Sequence, residues 1–257
     1  MSSVRALKAC LVRKMNYYLK IGGLIELSTV DIPMRACSVV FLAGCNFDCV
    51  YCQNSSLIPA DSGDLIELTK LVSEISKNML IDSVSITGGE PILQPALISL
   101  CQELKKKFYV SVDTNGSIPK IVETLTSVVN RIALDIKCEF NRYADITRAP
   151  SHLVGAVKES FNIINSAITV DFEIRTTVVP GLIGELDVSA ISRFLTAQNF
   201  RGIYVLQQFW NEGDVRELKT VDTPTRNELI KLAKMAIDLG VQEVAIRTRS
   251  RGYEFIS

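Results

Sequence analysis

The sequence predicts an α/β protein built as a partial (β/α)6 TIM-like barrel with an N-terminal β-hairpin extension. Short β-rich apolar runs alternate with segments of helical periodicity, which is the pattern of a parallel sheet with right-handed crossovers. Polar side chains also collect where these runs end. Six such units are too few for a closed eight-fold barrel, which leaves a partial barrel or an open doubly wound sheet. We expect one main domain over residues 35–257, after an extension over residues 1–34.

The extension contains Gly22 and Gly23 between two segments of alternating apolar residues. A glycine pair at such a position is typical of a hairpin turn. The first 20 residues alternate charged with apolar side chains and lack the unbroken apolar stretch of a signal peptide. We therefore expect a cytoplasmic protein, and the odd count of 7 cysteines agrees with a compartment where stable disulfides are rare.

Each predicted unit begins with a strand of β-branched and apolar residues and continues with a helix whose apolar residues recur every three or four positions. Pro95 and Pro119 stand at the first turns of two helices, and Gly240 stands at the end of the last one. In chain order, the predicted strands and helices cover residues 35–44, 64–80, 82–89, 95–107, 108–116, 119–129, 131–137, 151–167, 168–181, 187–199, 202–209, 223–240 and 241–248.

The charges of the chain balance, because 28 Lys and Arg face 28 Asp and Glu. A formal net charge of zero gives no electrostatic reason to expect a nucleic-acid or membrane partner. No apolar run approaches the roughly 20 residues that a membrane-spanning helix needs. We therefore expect neither partner.

Polar residues follow the predicted strands at four places: residues 88–90, residues 113–115, Asp135 with Lys137, and residues 207–208. The carboxyl ends of parallel strands meet at one edge of the sheet, where sites of such folds lie. A loop with three cysteines follows the first strand of the predicted barrel at that same edge. The sequence therefore predicts a site that gathers five separate segments.

The three cysteines of this loop are Cys45, Cys49 and Cys52, in the stretch CNFDCVYC. A structural zinc site takes four ligands, and the sole histidine of the chain, His152, is 100 residues beyond Cys52. A cubane iron–sulfur cluster normally takes four thiolates, so three leave one iron with an open position. That position can bind a substrate or a cofactor. Three buried core cysteines are the alternative, which the intervening Asn, Asp and Tyr disfavour.

The spacing Cys45-X3-Cys49-X2-Cys52 resembles the cluster motif of the radical SAM superfamily, and SITGGEP, residues 85–91, resembles its glycine-rich segment. The resemblance implies the radical SAM fold and a [4Fe-4S] cluster. It also implies that the amino and carboxylate groups of S-adenosylmethionine chelate the open iron. One electron then cleaves the sulfonium and yields a 5′-deoxyadenosyl radical that abstracts hydrogen.

Four further stretches, GGLIELSTVDIP, DTNG, LDIK and EIRTTVVPG, narrow the resemblance to the glycyl-radical-enzyme activating enzymes. Within these enzymes, FEIRTTVVPG and YVLQQF are similar to the longer type of activating protein for anaerobic ribonucleoside-triphosphate reductase. This resemblance implies two protein partners: that reductase, whose backbone glycine would lose a hydrogen, and a flavodoxin- or ferredoxin-like electron donor. Pyruvate formate-lyase activating enzyme is a more distant relative by the same residues.

The resemblance also implies roles for residues beside the cysteines. Tyr51 is placed like the aromatic side chain that contacts adenine. Gly88 and Gly89 would let the backbone approach the methionyl amine, with which the carboxylate of Glu90 can pair.

Four residues at the ends of the third and fourth strands of the predicted barrel complete the implied S-adenosylmethionine pocket. Asp135 would lie near the ribose and Lys137 at the carboxylate, while Asp113 and Thr114 would line the pocket.

Arg175 would either contact S-adenosylmethionine or shield the radical, and a buried ion pair with Glu173 on the same strand face is the alternative. Gln53 and Gln208 occupy positions where relatives often carry histidine. Each can offer a neutral hydrogen bond but no charge, which argues against pyruvate formate-lyase as the target.

Two other functions remain open from the sequence. One is a radical SAM enzyme that acts on a small molecule or on RNA, which would share every cluster and cofactor residue. The other is a non-catalytic iron–sulfur or zinc-binding scaffold. Outside the motifs, Cys37 and Cys101 are predicted to pack in the core, and the basic run at Arg247, Arg249 and Arg251 is predicted to be solvated.

Overall fold

A computed structural model describes residues 17–211, 215, 217–218 and 220–257. The predictions made on residues 1–16 lie outside the described residues. Among the described residues, no helix is long and apolar enough to cross a membrane.

The described residues form one sheet of ten strands, in the spatial order β10-β9-β8-β7-β6-β5-β4-β2-β1-β3. Seven neighbouring strands, β2 and β4 to β9, pair in parallel. Strand β1 pairs antiparallel with both β2 and β3, and β10 pairs antiparallel with β9. The strands are β1 (Tyr18–Ser28), β2 (Cys37–Leu42), β3 (Asp64–Glu67), β4 (Ser83–Gly88), β5 (Tyr109–Thr114), β6 (Arg131–Asp135), β7 (Asp171–Val178), β8 (Ile203–Gln208), β9 (Glu243–Thr248) and β10 (Gly252–Ile256).

Helices connect the parallel strands and cover one face of the sheet. They bury apolar side chains at helical spacing, as Leu97, Leu100, Cys101 and Leu104 do in one of them. The parallel order and the crossover helices confirm the predicted partial barrel. The helices are α1 (Leu68–Ser76), α2 (Leu97–Lys105), α3 (Pro119–Val128), α4 (Tyr143–Thr147), α5 (Leu153–Ser166), α6 (Glu185–Ala197) and α7 (Arg226–Asp238).

The two faces of the sheet differ in chemistry because side chains alternate along each strand. Even-numbered residues such as Val112, Ile132 and Ile174 join the apolar core beneath the helices. Odd-numbered residues such as Asp113 and Arg175 point into the barrel, where they pair with each other. The middle of the barrel interior is therefore polar, and the main hydrophobic core lies between the sheet and the helices that cover it.

Two predictions about the first 80 residues are wrong. Gly22 and Gly23 do not form a turn, because they lie inside β1, at a register shift in its ladder with β2. Glycine inside a strand often marks such a bulge. The helix predicted over residues 64–80 is shorter, because Asp64–Glu67 pairs with the start of β1 as the edge strand β3. The predicted hairpin within residues 1–34 is therefore replaced by one long strand, β1, which pairs antiparallel with the first strand of the predicted barrel and belongs to the same sheet.

Candidate functional site

The cysteine loop follows β2 at the carboxyl edge of the sheet, and backbone hydrogen bonds hold it from two sides. The N–H of Cys45 donates to the carbonyl of Ile58 at 3.0 Å. On the other side, the N–H groups of Asp48 and Val50 donate to the carbonyls of Thr147 and Ile146, at 2.9 and 3.0 Å. The loop is thus pinned to α4, an element that the sequence analysis did not predict.

Cys45, Cys49 and Cys52 form no disulfide and are partly exposed, whereas Cys37 and Cys101 are buried in the core as predicted. Burial raises the pKa of Cys45 and of Cys49 to about 12, and the carboxylate of Glu90 adds to the rise at Cys45. Both thiols are therefore protonated at neutral pH, so that a metal must displace protons to bind them.

Within the described part of the chain, no three His, Cys, Asp or Glu side chains converge on a point where a single metal ion could sit. The thiolates of a cubane cluster each bind a different iron, so they need not meet at one point. Three partly exposed thiols on one pinned loop fit a cluster with one open iron.

The glycine-rich segment is packed against the chain that enters the cysteine loop. The N–H groups of Gly89 and Glu90 donate to the carbonyls of Leu42 and Gly44, at 2.8 and 2.7 Å. Gly88 has a φ of +122°, and a Cβ there would lie 2.3 Å from the oxygen of Leu42. Only glycine adopts this backbone angle readily and leaves room for the Leu42 oxygen. These glycines therefore allow the glycine-rich segment to pack closely against the backbone that enters the cysteine loop.

Glu90 is 1% exposed and its carboxylate joins the ends of β4 and β5. It accepts hydrogen bonds from Thr114 Oγ1 and from the N–H of Asn115, both at 2.6 Å, and from the N–H of Ile92 at 3.3 Å. Burial raises the pKa of Glu90 to about 7 in spite of these donors. In this structure both carboxylate oxygens are occupied by the protein, so contact with a methionyl amine stays a prediction.

Asp135 and Lys137 form an ion pair of 2.7 Å at the end of β6, with both side chains partly exposed at the rim. Burial alone would lower the pKa of Lys137, but the negative charge of Asp135 holds it well above its usual value. The hydroxyl of Tyr51 donates to the carbonyl of Lys137 at 3.2 Å, and Tyr51 is 4% exposed. A charged ammonium therefore faces the rim beside the cysteine loop, while the Tyr51 ring is largely covered.

Arg175 is 5% exposed and is fully engaged inside the barrel. Its guanidinium pairs with Glu173, with Asp113 at 2.6 Å and with the hydroxyl of Tyr253 at 3.3 Å. The ion pair with Glu173 that the sequence left as an alternative is thus present. Contact of Arg175 with a cofactor stays a prediction.

These pairs belong to a larger cluster of buried charges that closes the middle of the barrel. Glu173 also pairs with Arg131, and Asp31 pairs with Arg247 at 2.5 Å. The prediction that Arg247 is solvated is wrong, because the side chain is 90% buried against the loop after β1. Three acids and three arginines balance their charges: Asp31, Asp113, Glu173, Arg131, Arg175 and Arg247.

Two buried atoms of this cluster, Asp113 Oδ1 and Arg247 Nε, have no hydrogen-bond partner in the described residues. Arg131 Nη1 lies 3.9 Å from Asp113 Oδ1. Burial raises the pKa of Asp113 although Arg175 opposes that rise. An orphaned carboxylate oxygen below the rim agrees with the predicted place of Asp113 in a polar pocket.

The two predicted glutamines are bound to the protein backbone. Gln53 Nε2 donates to the carbonyl of Trp210 at 2.9 Å. Gln208 Nε2 donates to the carbonyl of Pro224 at 2.7 Å, and its Oε1 accepts from the N–H of Arg249 at 3.0 Å. Both ends of the Gln208 amide are therefore used, and these contacts give no support to its predicted role in cofactor binding.

Asn46, which the sequence analysis did not single out, joins the cysteine loop to the turn after β5. Asn46 Nδ2 donates to Ser117 Oγ at 2.8 Å, and Asn46 Oδ1 accepts from Asn115 Nδ2 at 2.9 Å. The only available signal was the polar character of Asn46 and Asn115 in two separate motifs, and nothing in the sequence pairs them.

A cavity of about 710 Å³ lies at the opposite edge of the sheet, where the first residues of five strands line it. These are Tyr109, Arg131, Asp171, Ile203 and Glu243. A cavity of about 340 Å³ reaches Cys45 from outside the sheet. We locate the site at the carboxyl edge, because Cys45, Cys49, Cys52 and the Asp135–Lys137 pair lie there.

Residues 39–189 match the Radical SAM superfamily. Since the match covers more than half of the chain, the protein belongs to this superfamily, whose members use a [4Fe-4S] cluster and S-adenosylmethionine. A protein of Methanocaldococcus jannaschii, provisionally named as a glycyl-radical enzyme activating enzyme, is 32% identical over 242 residues, covering 91% of this chain and 98% of the relative.

Solved structures show the same fold. The structure of TYW1 with a lysine-pyruvate adduct bound has a TM-score of 0.63 at 17% identity, over 86% of this chain and 79% of that one. A domain of pyruvate-formate lyase-activating enzyme from Bacteroides vulgatus ATCC 8482 has a TM-score of 0.53 at 17% identity, over 65% of this chain and 99% of that one. Identities this low support the fold alone.

Proposed function

We propose that this protein is a glycyl-radical-enzyme activating enzyme whose target is anaerobic ribonucleoside-triphosphate reductase. The observation that carries the proposal is the meeting of three cysteines, none of them in a disulfide, and the Asp135–Lys137 pair at one edge of a partial barrel. The near full-length similarity to a relative with an activating-enzyme name supports the type of target. The open side of a partial barrel can admit a loop of another protein.

In this proposal each residue of the site has one task. Cys45, Cys49 and Cys52 hold the cluster, which when bound supplies the electron that cleaves S-adenosylmethionine. The ammonium of Lys137 binds the methionyl carboxylate, and Asp135 keeps that ammonium charged and oriented next to the ribose. A flavodoxin- or ferredoxin-like protein delivers the electron.

The remaining cofactor residues would shape the pocket rather than react. Glu90 and Thr114 bind each other, which fixes the ends of β4 and β5 against the cysteine loop. Asp113 offers its free oxygen to the polar part of the cofactor.

The function is tested by anaerobic incubation of the protein with S-adenosylmethionine, a reductant and the candidate reductase. We expect a glycyl radical signal in electron paramagnetic resonance and stoichiometric 5′-deoxyadenosine. Cys45→Ser should abolish both, together with the visible absorbance of the cluster. Cys101→Ala, in the core of α2, should retain all three. Cleavage of S-adenosylmethionine without a glycyl radical would reject this target and favour a small molecule or RNA as the substrate.

The role of Lys137 has its own test, in the binding of S-adenosylmethionine. Lys137→Gln keeps most of the side-chain length but removes the charge, so binding should weaken by about 10- to 100-fold, the worth of a hydrogen bond between charged groups. Lys105→Gln, whose ammonium caps the carbonyl of Val129 on the far side of the protein, is the control and should bind normally. Equal affinities of the Lys137 variant and the unaltered protein would contradict the assignment.

A further inference from the structure

Asn46 lies between the first two cysteines of the loop, and its amide spans to the turn that follows β5. Both ends of the amide are used: Nδ2 donates to Ser117 Oγ at 2.8 Å, and Oδ1 accepts from Asn115 Nδ2 at 2.9 Å. The partners are 71 and 69 residues away in the sequence. The contact is therefore tertiary and is not part of the local folding of the loop.

The turn that Asn46 binds is itself rigid. Asn115 and Ser117 are 3% and 5% exposed, and Asn115 Oδ1 accepts from the N–H of Ser117 at 2.9 Å. The N–H of Asn115 donates to Glu90 at 2.6 Å, and Ser160 Oγ donates to the carbonyl of Gly116 at 2.7 Å. Asn46 therefore binds a buried turn whose geometry is already fixed on two sides.

Backbone bonds join the loop to three other segments. They hold Cys45 to the segment after the loop, Asp48 and Val50 to α4, and Gly44, just before the loop, to Glu90 at the end of β4. None of these bonds reaches the turn after β5. The amide of Asn46 supplies that attachment, next to the end of the strand that carries Asp113.

We propose that Asn46 is a positioning residue that sets the distance between the open iron and the groups that hold S-adenosylmethionine. This inference rests on the assignment of Cys45, Cys49 and Cys52 as cluster ligands, and it is independent of which substrate receives the radical. The Asn46 side chain touches no reacting atom, and it acts through the loop that it fixes.

The first test uses the apo protein, so that the outcome does not depend on cluster loading. Asn46→Leu keeps the branched shape of the side chain but forms neither hydrogen bond. Amide hydrogen exchange in residues 45–52 should become about tenfold faster or more, since two hydrogen bonds are lost. Ser117→Ala removes one of the two partners and should give a smaller increase. The double variant, Asn46→Leu with Ser117→Ala, should exchange no faster than Asn46→Leu alone, because Asn46→Leu has already lost both hydrogen bonds.

The second test uses the protein with its cluster assembled. Asn46→Leu should retain the cluster absorbance but lose about 10- to 100-fold in the rate of reductive S-adenosylmethionine cleavage, a typical cost when a group that orients metal ligands is removed. The signal of the reduced cluster in electron paramagnetic resonance should also shift less when S-adenosylmethionine is added. Asp48→Asn is the matched control on the same loop: it alters an exposed pair with Arg148 at 3.5 Å and keeps the backbone bond to α4. Its cleavage rate should stay within about twofold of the unaltered protein.

Unchanged exchange in residues 45–52 together with an unchanged cleavage rate in Asn46→Leu would overturn the inference. If Asn46→Leu does not fold, Ser117→Ala decides in its place by the same two measurements. Absence of a glycyl radical in the unaltered protein, with S-adenosylmethionine still cleaved, would reject the proposed target but leave the role of Asn46 intact.

Discussion

Replacing Glu173 with glutamine tests whether the charges inside the barrel hold the sheet together. Glu173 is 1% exposed, and it accepts from Arg131, from Arg175 and from the hydroxyl of Tyr253. Glutamine preserves the shape of the side chain but removes the negative charge. Two buried guanidinium groups would then share Asp113 as their remaining acidic partner, which leaves one positive charge uncompensated.

Two independent arguments give a similar magnitude for this loss. Breaking a buried ion pair on one side costs about 3–5 kcal/mol. Burial would raise the pKa of Glu173, but Arg131 and Arg175 overcome it and lower the pKa from 4.5 to about 2. That shift corresponds to about 3 kcal/mol. We therefore expect Glu173→Gln to lower the free energy of unfolding by about 3–5 kcal/mol at pH 7.

The assay is urea unfolding of the apo protein followed by circular dichroism. With a slope of about 3 kcal/mol per molar urea, the midpoint should fall by about 1–1.7 M. Glu103→Gln is the matched control, because Glu103 pairs with Lys106 at 2.6 Å on the exposed surface of α2. Its stability should change by less than about 0.5 kcal/mol. An equally small change in Glu173→Gln would refute the reasoning.

The pH dependence gives a second check on the same residue. The folded pKa of Glu173 lies below the unfolded value, so its contribution is fully present above pH 4.5 and is lost as the pH falls towards 2. The difference in stability between the unaltered protein and Glu173→Gln should therefore shrink across that window. A difference that stays constant down to pH 2 would show that the charge is not its cause.

Three further substitutions test the fold. Gly88→Ala should lower the free energy of unfolding by at least about 3 kcal/mol and reduce soluble yield, because the φ of +122° and a Cβ 2.3 Å from the oxygen of Leu42 both oppose a side chain. Gly23→Ala is the control and should fold normally, because no atom lies within 4 Å of the new Cβ. Gly155→Ala, in α5 with open space around it, should raise the unfolding free energy in urea by about 0.5–1 kcal/mol, and a decrease would contradict the local account. Phe161→Ala should lower it by about 3–5 kcal/mol, since Phe161 is fully buried against three other phenylalanine rings, while Phe161→Leu should lose less.

Local sequence patterns were enough to predict the parallel sheet, the helices between its strands and the edge of the sheet where the candidate site residues lie. These features follow from local periodicity, because a period of two or of 3.6 residues states which side of an element is buried. Asp135 and Lys137 show this: two residues apart at the end of one strand, they had to share a face, and they form an ion pair there. The spacing of the three cysteines is likewise a local property of one loop.

Contacts between side chains far apart in the sequence could not be predicted and are seen only in the folded structure. Asp31 binds Arg247 across 216 residues, and Asn46 binds the turn after β5 across about 70. Residues 64–67 became a strand because β1 offered them an edge to pair with, although their pattern suits a helix. Periodicity shows that a side chain faces inward, but the partner it finds there depends on how the whole sheet curves, which no local stretch of sequence encodes.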